Sequence, residues 1–310
     1  MDISIVVPSY NEDESLPHLA EWIDRVMKEH GFSYEVIIVD DGSKDGTWQA
    51  AEKLHAANPC YRGIKFRRNY GKSAALNTGF AAAQGDVVIT MDADLQDSPD
   101  EVPELYRMIK EDGYDLVSGW KKKRYDSKLA KNIPSKFFNW TTRRMSGIHL
   151  HDFNCGLKAY RHDVVKSIEV YGEMHRFIPV IAKWAGFGKI GEKVVQHRKR
   201  EFGVTKFGMS RFINGYLDLM SIMFMSKFGK QPMHFFGAVG TISGLFGLVS
   251  LIVVLILRIT GSISLTHSVW FYLSMLFLVL GVMLFLAGFI GELVCRNSTT
   301  RNQYLIEKEL

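Results

Sequence analysis

Asp86-Val87-Val88-Ile89-Thr90-Met91-Asp92-Ala93-Asp94 is the stretch on which the fold turns. Val87 to Thr90 is an unbroken β-branched run that reads as a short strand, and two carboxylates follow at its carboxyl end. The same pattern recurs upstream. Ile3 to Val7 is a strand that runs into a loop at Pro8 to Glu14 and a helix near Pro17 to His30. Glu35 to Val39 is a second strand ending at Asp40-Asp41-Gly42-Ser43, Gly46 to Ala57 a helix, and Arg62 to Phe66 a third strand. Ser73 to Ala83 is helical by its small apolar residues and leads to the fourth strand, Asp86 to Met91. Short β-rich runs alternating with helices predict an α/β fold, with a mostly parallel sheet and helices on both faces. Ligands in such folds sit at the carboxyl ends of the strands, where this chain gathers its aspartates.

The chain has 310 residues, room for one large domain plus something smaller or for two ordinary domains. Its 47% apolar and 23% charged residues exclude a wholly disordered or fibrous protein. Cys60, Cys155 and Cys295 lie far apart and form no CxxC pair, which excludes a disulfide scaffold and a cysteine-rich zinc site and suits a reducing compartment. Met1-Asp2 is acidic and Ile3 to Val7 is too short for the apolar core of a signal peptide, so none is expected.

Hydropathy is concentrated near the end of the chain. Phe235 to Leu257 and Ser268 to Gly291 carry no charge and exceed the ~20 residues a helix needs to cross a bilayer. Gly237, Gly240, Gly244 and Gly247 fall on one helical face and would let the two helices pack closely. Lys227 and Lys230 precede the pair and Arg296 and Arg301 follow it, while the link carries only Arg258. That bias predicts both termini on the cytosolic side of an inner membrane. Two further segments are amphipathic: Pro134 to Ile148, within a run from Lys121 to Arg144 that holds nine basic residues and one acidic one, and Phe212 to Phe224. Both suit the lipid headgroup layer, and packing against the globular domain is the alternative for each. Nucleic acid is not an expected partner, because no binding motif accompanies the basic run. The expected layout is a cytosolic domain over 1–208 with its basic segment at 121–148, an interfacial helix over 209–232, two membrane helices over 233–292 and a tail over 293–310.

Asp92-Ala93-Asp94 is the chemical centre. Two carboxylates at i and i+2, freed from strand alternation by a turn, can converge on a hard cation such as Mg²⁺ or Mn²⁺, which also favours phosphate oxygens. Asp40-Asp41 closes the second strand similarly; one of the two suits a base or ribose and the other a turn cap. Gly71-Lys72-Ser73 echoes a phosphate-binding loop, but that motif needs glycine where Phe66 stands. No GxGxxG opens a helix, so a dinucleotide oxidoreductase is unsupported. His149, His151 and Asp152 read as a polar loop rather than a transition-metal site, and Cys155 as a buried filler. Trp120 and Trp140 fit either an interfacial anchor or the core.

Val6-Val7-Pro8-Ser9-Tyr10-Asn11-Glu12, Val39-Asp40-Asp41-Gly42-Ser43, Arg68-Asn69-Tyr70-Gly71-Lys72 and Met91 to Asp97 together resemble glycosyltransferase family 2, with its GT-A fold. His151 to Lys158 and His197 to Gly208 are similar to later motifs of its polyprenyl-phosphate subgroup, which includes dolichol-phosphate mannose synthase and bacterial undecaprenyl-phosphate glycosyltransferases. The likeness runs from residue 1 to about 295, with Thr205 where serine is commoner. The resemblance implies nucleotide contacts from Pro8, Tyr10, Glu12 and Asp41, and metal and diphosphate contacts from Asp92, Asp94 and Gln96. Asp40 and Lys72 complete the expected nucleotide-sugar set. Lys121, Arg124, Arg198, Arg200, Thr205 and Lys206 form the expected phosphate and acceptor set, since an Arg fork and a Lys point charge suit that task. Asp94, Asp152 and Arg200 are the expected catalytic residues.

The implied reaction moves one sugar from a UDP- or GDP-sugar to a polyprenyl phosphate with inversion. A phosphate monoester has a second pKa of about 6, so such an acceptor is largely dianionic at pH 7 and needs little help losing a proton. Asp152 is then expected to orient the sugar or the acceptor's basic partners, with proton removal as the alternative role. A processive polysaccharide synthase is the nearest rival, but its QxxRW signature meets Lys199 and Arg200 here, and two closing helices are too few to line a polymer channel. An inactive membrane scaffold is opposed by the intact acidic and basic set. The resemblance leaves homo-oligomerisation open.

Overall fold

The computed structural model describes residues 1–122, 132–198, 231–261 and 264–296, together with 220, 221, 224 and 228. The chain divides into two compact units, Met1–Leu219 and Met220–Leu310.

The first unit is built on one seven-stranded sheet in the order β3-β2-β1-β4-β6-β5-β7. Its strands are β1 (Ile3–Ser9), β2 (Tyr34–Asp40), β3 (Tyr61–Lys65), β4 (Val87–Thr90), β5 (Leu116–Trp120), β6 (Lys158–Arg161) and β7 (Ile190–Val194). β1 pairs in parallel with β2 and β4, and β2 with β3. β6 runs antiparallel to both β4 and β5, and β7 rejoins β5 in parallel. The expected mostly parallel sheet is therefore mixed, with one reversed strand. β1 is covered on both faces, so Ile3, Ile5, Val6 and Val7 are all fully buried and no inward–outward alternation is visible in its sequence.

Helices α1 (Ser15–His30), α2 (Thr47–Ala57), α3 (Lys72–Ala82), α4 (Val102–Lys110), α5 (Asn132–Ser146), α6 (His162–Ser167) and α7 (Ile178–Trp184) accompany the sheet. α1 buries Leu16, Leu19, Ala20, Ile23, Val26 and Met27, a 3–4 spacing that presents one apolar stripe to the core. α3 has few large residues because it lies close to β1: a Cβ on Gly79 would come within 2.3 Å of Val6 Cγ1. In α5, Trp140 is exposed and Thr142 is buried, and Ile148 just beyond the helix is buried too.

The second unit contains α8 (Pro232–Ile259) and α9 (Val269–Arg296), both long and apolar enough to cross a membrane. Their backbones touch through glycine. A Cβ on Gly281 would meet Gly244 N at 2.6 Å and Gly240 O at 2.8 Å, and one on Gly247 would meet Leu278 N at 2.7 Å. Ser250 and Ser274 hydroxyls pair at 2.7 Å, and Ser243 donates to the Phe277 carbonyl at 3.0 Å. Most of the segment expected as an interfacial helix (209–232), and the tail from 297 onward, lie outside the described residues.

Candidate active site at the carboxyl edge of the sheet

Strand direction decides what meets here. β1, β2, β4 and β5 end on one edge of the sheet, and antiparallel β6 begins on it, with Lys158 opposite Thr90 and Ser118. Asp92, Asp94, Asp41, Lys121 and Lys158, drawn from distant parts of the sequence, thereby share an edge.

Asp92 lies at its centre. Its Oδ1 accepts an ion-paired hydrogen bond from Lys72 Nζ at 2.5 Å. Burial alone would raise the Asp92 pKa, but the charges of Lys72, Lys121 and Lys158 overcome it and hold the carboxyl at about 2. Behind Asp92 stands Gly156, where a Cβ would lie 2.5 Å from Oδ2. The Gly156 carbonyl is tied to β4 by the Thr90 hydroxyl at 2.8 Å. Asp94 is buried, its Oδ1 accepting the Gln96 backbone N–H at 3.2 Å, in a turn where Leu95 takes a left-handed φ of 59°.

Lys72 is placed by its neighbours. Asp41, buried at the end of β2, accepts the backbone N–H groups of Tyr70 and Gly71 at 2.7 and 2.9 Å. Burial raises the Asp41 pKa against the pull of those two bonds. After Lys72, the Ser73 hydroxyl accepts the His175 backbone N–H at 3.1 Å and pairs with its Nδ1 at 3.0 Å. Burial, helped by Lys72 and Arg176, pushes the His175 pKa well below 6.5, so the ring is neutral at pH 7. The two neighbouring aspartates thus divide their work. Asp40 is wholly buried and caps the Ser43 N–H at 2.8 Å, while Asp41 clamps the Lys72 loop.

Around this centre, Lys121 pairs with fully buried Asp97 at 2.7 Å. Burial works against the charge of Lys121, but Asp97 outweighs it and its pKa is raised. Lys158 is buried, donates to the Cys155 carbonyl, and has its pKa lowered chiefly by that burial. Asp152 is buried beside it, with Oδ1 accepting the Asn154 N–H at 3.1 Å. Glu192 of β7 holds this loop, accepting the His151 and Asp152 N–H groups and pairing with His151 Nδ1 at 2.7 Å. Trp120 stacks on His151 with ring centroids 4.0 Å apart.

Several expected residues lie farther out. The Arg198 backbone N–H donates to the Gln96 carbonyl at 3.0 Å, but its guanidinium lies 4.1 Å over the Trp22 ring. The Glu12 carboxylate accepts from Ser15 at 2.8 Å, and Pro8 sits opposite Val39 in the β1–β2 ladder beside Tyr10. Arg124, Arg200, Thr205 and Lys206 lie outside the described residues. Sequence reasoning gave no role to Gly156, Lys158, His175 or Glu192. Two of them left a signal: Gly156 and Lys158 fall within the motif His151 to Lys158, and Lys158 is a charge inside the apolar run Leu157-Lys158-Ala159-Tyr160.

Residues 4–169 match the model of glycosyl transferase family 2. The chain belongs to that family. It is 39% identical over 242 residues to the dodecaprenyl-phosphate galacturonate synthase of Rhizobium johnstonii, covering 77% of this chain and 72% of that protein. It is 33% identical to the undecaprenyl-phosphate 4-deoxy-4-formamido-L-arabinose transferase of Aeromonas hydrophila, over 99% of this chain and 93% of that protein. Among solved structures it resembles mannosyl-3-phosphoglycerate synthase from Rubrobacter xylanophilus, with a TM-score of 0.59, 16% identity, and coverage of 73% of this chain and 75% of that one. It also resembles glucosyl-3-phosphoglycerate synthase from Mycobacterium tuberculosis in complex with Mn²⁺, UDP-glucose and glycerol 3-phosphate, with a TM-score of 0.54, 19% identity, and coverage of 73% and 79%. These structural likenesses are of fold. The chain is a glycosyltransferase.

Proposed function

We propose that this glycosyltransferase moves a single sugar from a nucleotide-sugar to a polyprenyl phosphate on the cytosolic face of an inner membrane, with inversion at the anomeric carbon. The observation that carries the reading is the Asp92–Asp94 pair, set at the strand edge among Lys72, Lys121 and Lys158. An anionic donor and an anionic acceptor need cations on both sides. The printed names of the two relatives supply the acceptor class.

A divalent ion, Mg²⁺ or Mn²⁺, fits the donor set. Asp92 is an ionised carboxylate at neutral pH, Asp94 supplies a second, and Gln96 offers an amide oxygen, all hard ligands. Gly156 lets the Asp92 carboxylate pack against the backbone, where a Cβ would lie 2.5 Å from Oδ2. When bound, the ion would neutralise charge on the departing nucleoside diphosphate.

The chain's own residues do the rest. Lys72 lies within reach of a phosphate placed at Asp92. Asp41, Asp40, Glu12, Tyr10 and Pro8 frame the nucleotide end of the edge. Asp152, steadied by the Glu192-held loop, orients the sugar and its cationic surroundings. With Lys121 committed to Asp97 and Arg198 stacked on Trp22, the acceptor phosphate falls to Arg124, Arg200, Thr205 and Lys206. α8 and α9 anchor the chain in the bilayer that holds such a lipid acceptor.

The test incubates the full chain in detergent with UDP- and GDP-sugars, a polyprenyl phosphate and Mg²⁺ or Mn²⁺, and identifies the lipid product by mass spectrometry. A lipid carrying one sugar, lost in Asp94→Ala, is expected. A polymer, or equal turnover by the variant, refutes the reading.

A further inference from the structure

Among the described residues no three His, Cys, Asp or Glu side chains cluster to hold a metal. Asp92 and Asp94 are the carboxylate pair the strand edge provides, and the charge on Asp92 is already countered by Lys72 at 2.5 Å. Lys72 is no freely wandering arm. Asp41 grips the two backbone N–H groups just before it, and the Ser73–His175 pair fixes the residue just after it. Lys121 and Lys158 add their fields at the same carboxylate.

A bare divalent ion entering this edge therefore meets Asp94 and an Asp92 carboxylate already paired with the Lys72 ammonium. Mg²⁺ and Mn²⁺ want about six oxygen ligands, and the site offers few. A nucleoside diphosphate changes both counts, because it brings anionic oxygens for the ion and a new partner for Lys72. We propose that Lys72 is an interlock: it occupies Asp92 while the site lacks nucleotide, and moves to the diphosphate when donor arrives, so that divalent ion and nucleotide bind as a unit. This rests on the donor reading above, but it does not depend on which sugar or acceptor is used. The benefit is physical: the ion reaches Asp92 only when a leaving group is present to be neutralised.

The experiment measures Mn²⁺ binding by the full chain in detergent, from the electron paramagnetic resonance signal of free Mn²⁺, without nucleotide and with saturating UDP or GDP. Wild type should bind Mn²⁺ at least about tenfold more tightly with one of the nucleotides, and by reciprocity Mn²⁺ should raise that nucleotide's affinity by the same factor. Lys72→Met should bind Mn²⁺ about fivefold or more tightly than wild type in the absence of nucleotide, with the coupling reduced to about threefold or less, because removing a unit charge a few ångströms away is a large local change. Lys72→Arg should restore the wild-type order. The Lys72 side chain is 29% exposed at the start of α3, so these variants should fold, and Lys72→Gln is a second neutral replacement. Wild type binding Mn²⁺ equally well with and without nucleotide, or Lys72→Met leaving both affinity and coupling unchanged, overturns the interlock. Failure to bind Mn²⁺ under any condition also overturns it. Normal coupling without sugar transfer to polyprenyl phosphate upholds the interlock and refutes the acceptor reading instead.

Discussion

Replacing Gly156 with alanine perturbs the carboxyl edge of the sheet without adding or removing a charge. The added Cβ would lie 2.5 Å from Asp92 Oδ2, 2.7 Å from Cγ and 2.9 Å from Oδ1, whereas ordinary contact begins at 3.4 Å. Relief requires a shift of about 1 Å, and neither side gives freely: Thr90 holds the Gly156 carbonyl and Lys72 holds Asp92. A misplacement of ~1 Å can cost ~10²-fold in rate, equivalent to about 2.7 kcal/mol of barrier. The overpacking should lower stability by ~1–3 kcal/mol. Initial rates of lipid-linked sugar formation measure the first effect, and thermal unfolding of the full chain in detergent the second. A double-mutant cycle tests the cause. Asp92→Ala removes the three atoms nearest the new Cβ, so Gly156→Ala in that background should change the residual rate by less than about threefold. Near-wild-type activity of the single variant, or losses that simply multiply in the double variant, would refute the argument.

Two further outcomes follow from the same geometry. The unfolded chain takes up a proton on His175 near its ordinary pKa of 6.5 while the folded chain resists it, so the unfolded state binds more protons below that pH. Stability should therefore fall as pH drops from about 7 to 5, and His175→Gln should flatten that part of a melting-temperature profile; an unchanged slope would show that another group sets it. Asp92 acts in the same direction but lower down, its stabilisation present above its unfolded pKa of 3.8 and lost as pH falls through about 2. Between the apolar helices, Gly281→Ala forces a Cβ against the backbone of Gly240 and Gly244, whereas a Cβ on Gly244 meets nothing within 4 Å. Gly281→Ala should lower the melting temperature in detergent while Gly244→Ala leaves it within error, and equal effects would contradict the packing.

Much of this protein was legible from the order of its residues. β-Branched runs alternating with helices marked the layered sheet, because strand and helix periodicities are local properties. The charge-free runs near the end marked α8 and α9, because bilayer thickness sets a length that composition alone can meet. The acidic pair after Thr90 was placed at the strands' carboxyl ends, because that position follows directly from where the strand stops.

What contact decides was hidden. Asp40 and Asp41 end the same strand, and only their opposite directions made one a turn cap and the other the clamp on the Lys72 loop. Lys121, expected to meet a substrate phosphate, is paired with Asp97 because β5 ends beside the loop that follows β4. Gly156, Lys158 and His175 reach Asp92 or its lysine only because β6 runs against its neighbours and brings residues far along the chain onto the same edge. Strand polarity and side-chain direction belong to the packed sheet, so the roles of these residues appear only when the chain is folded.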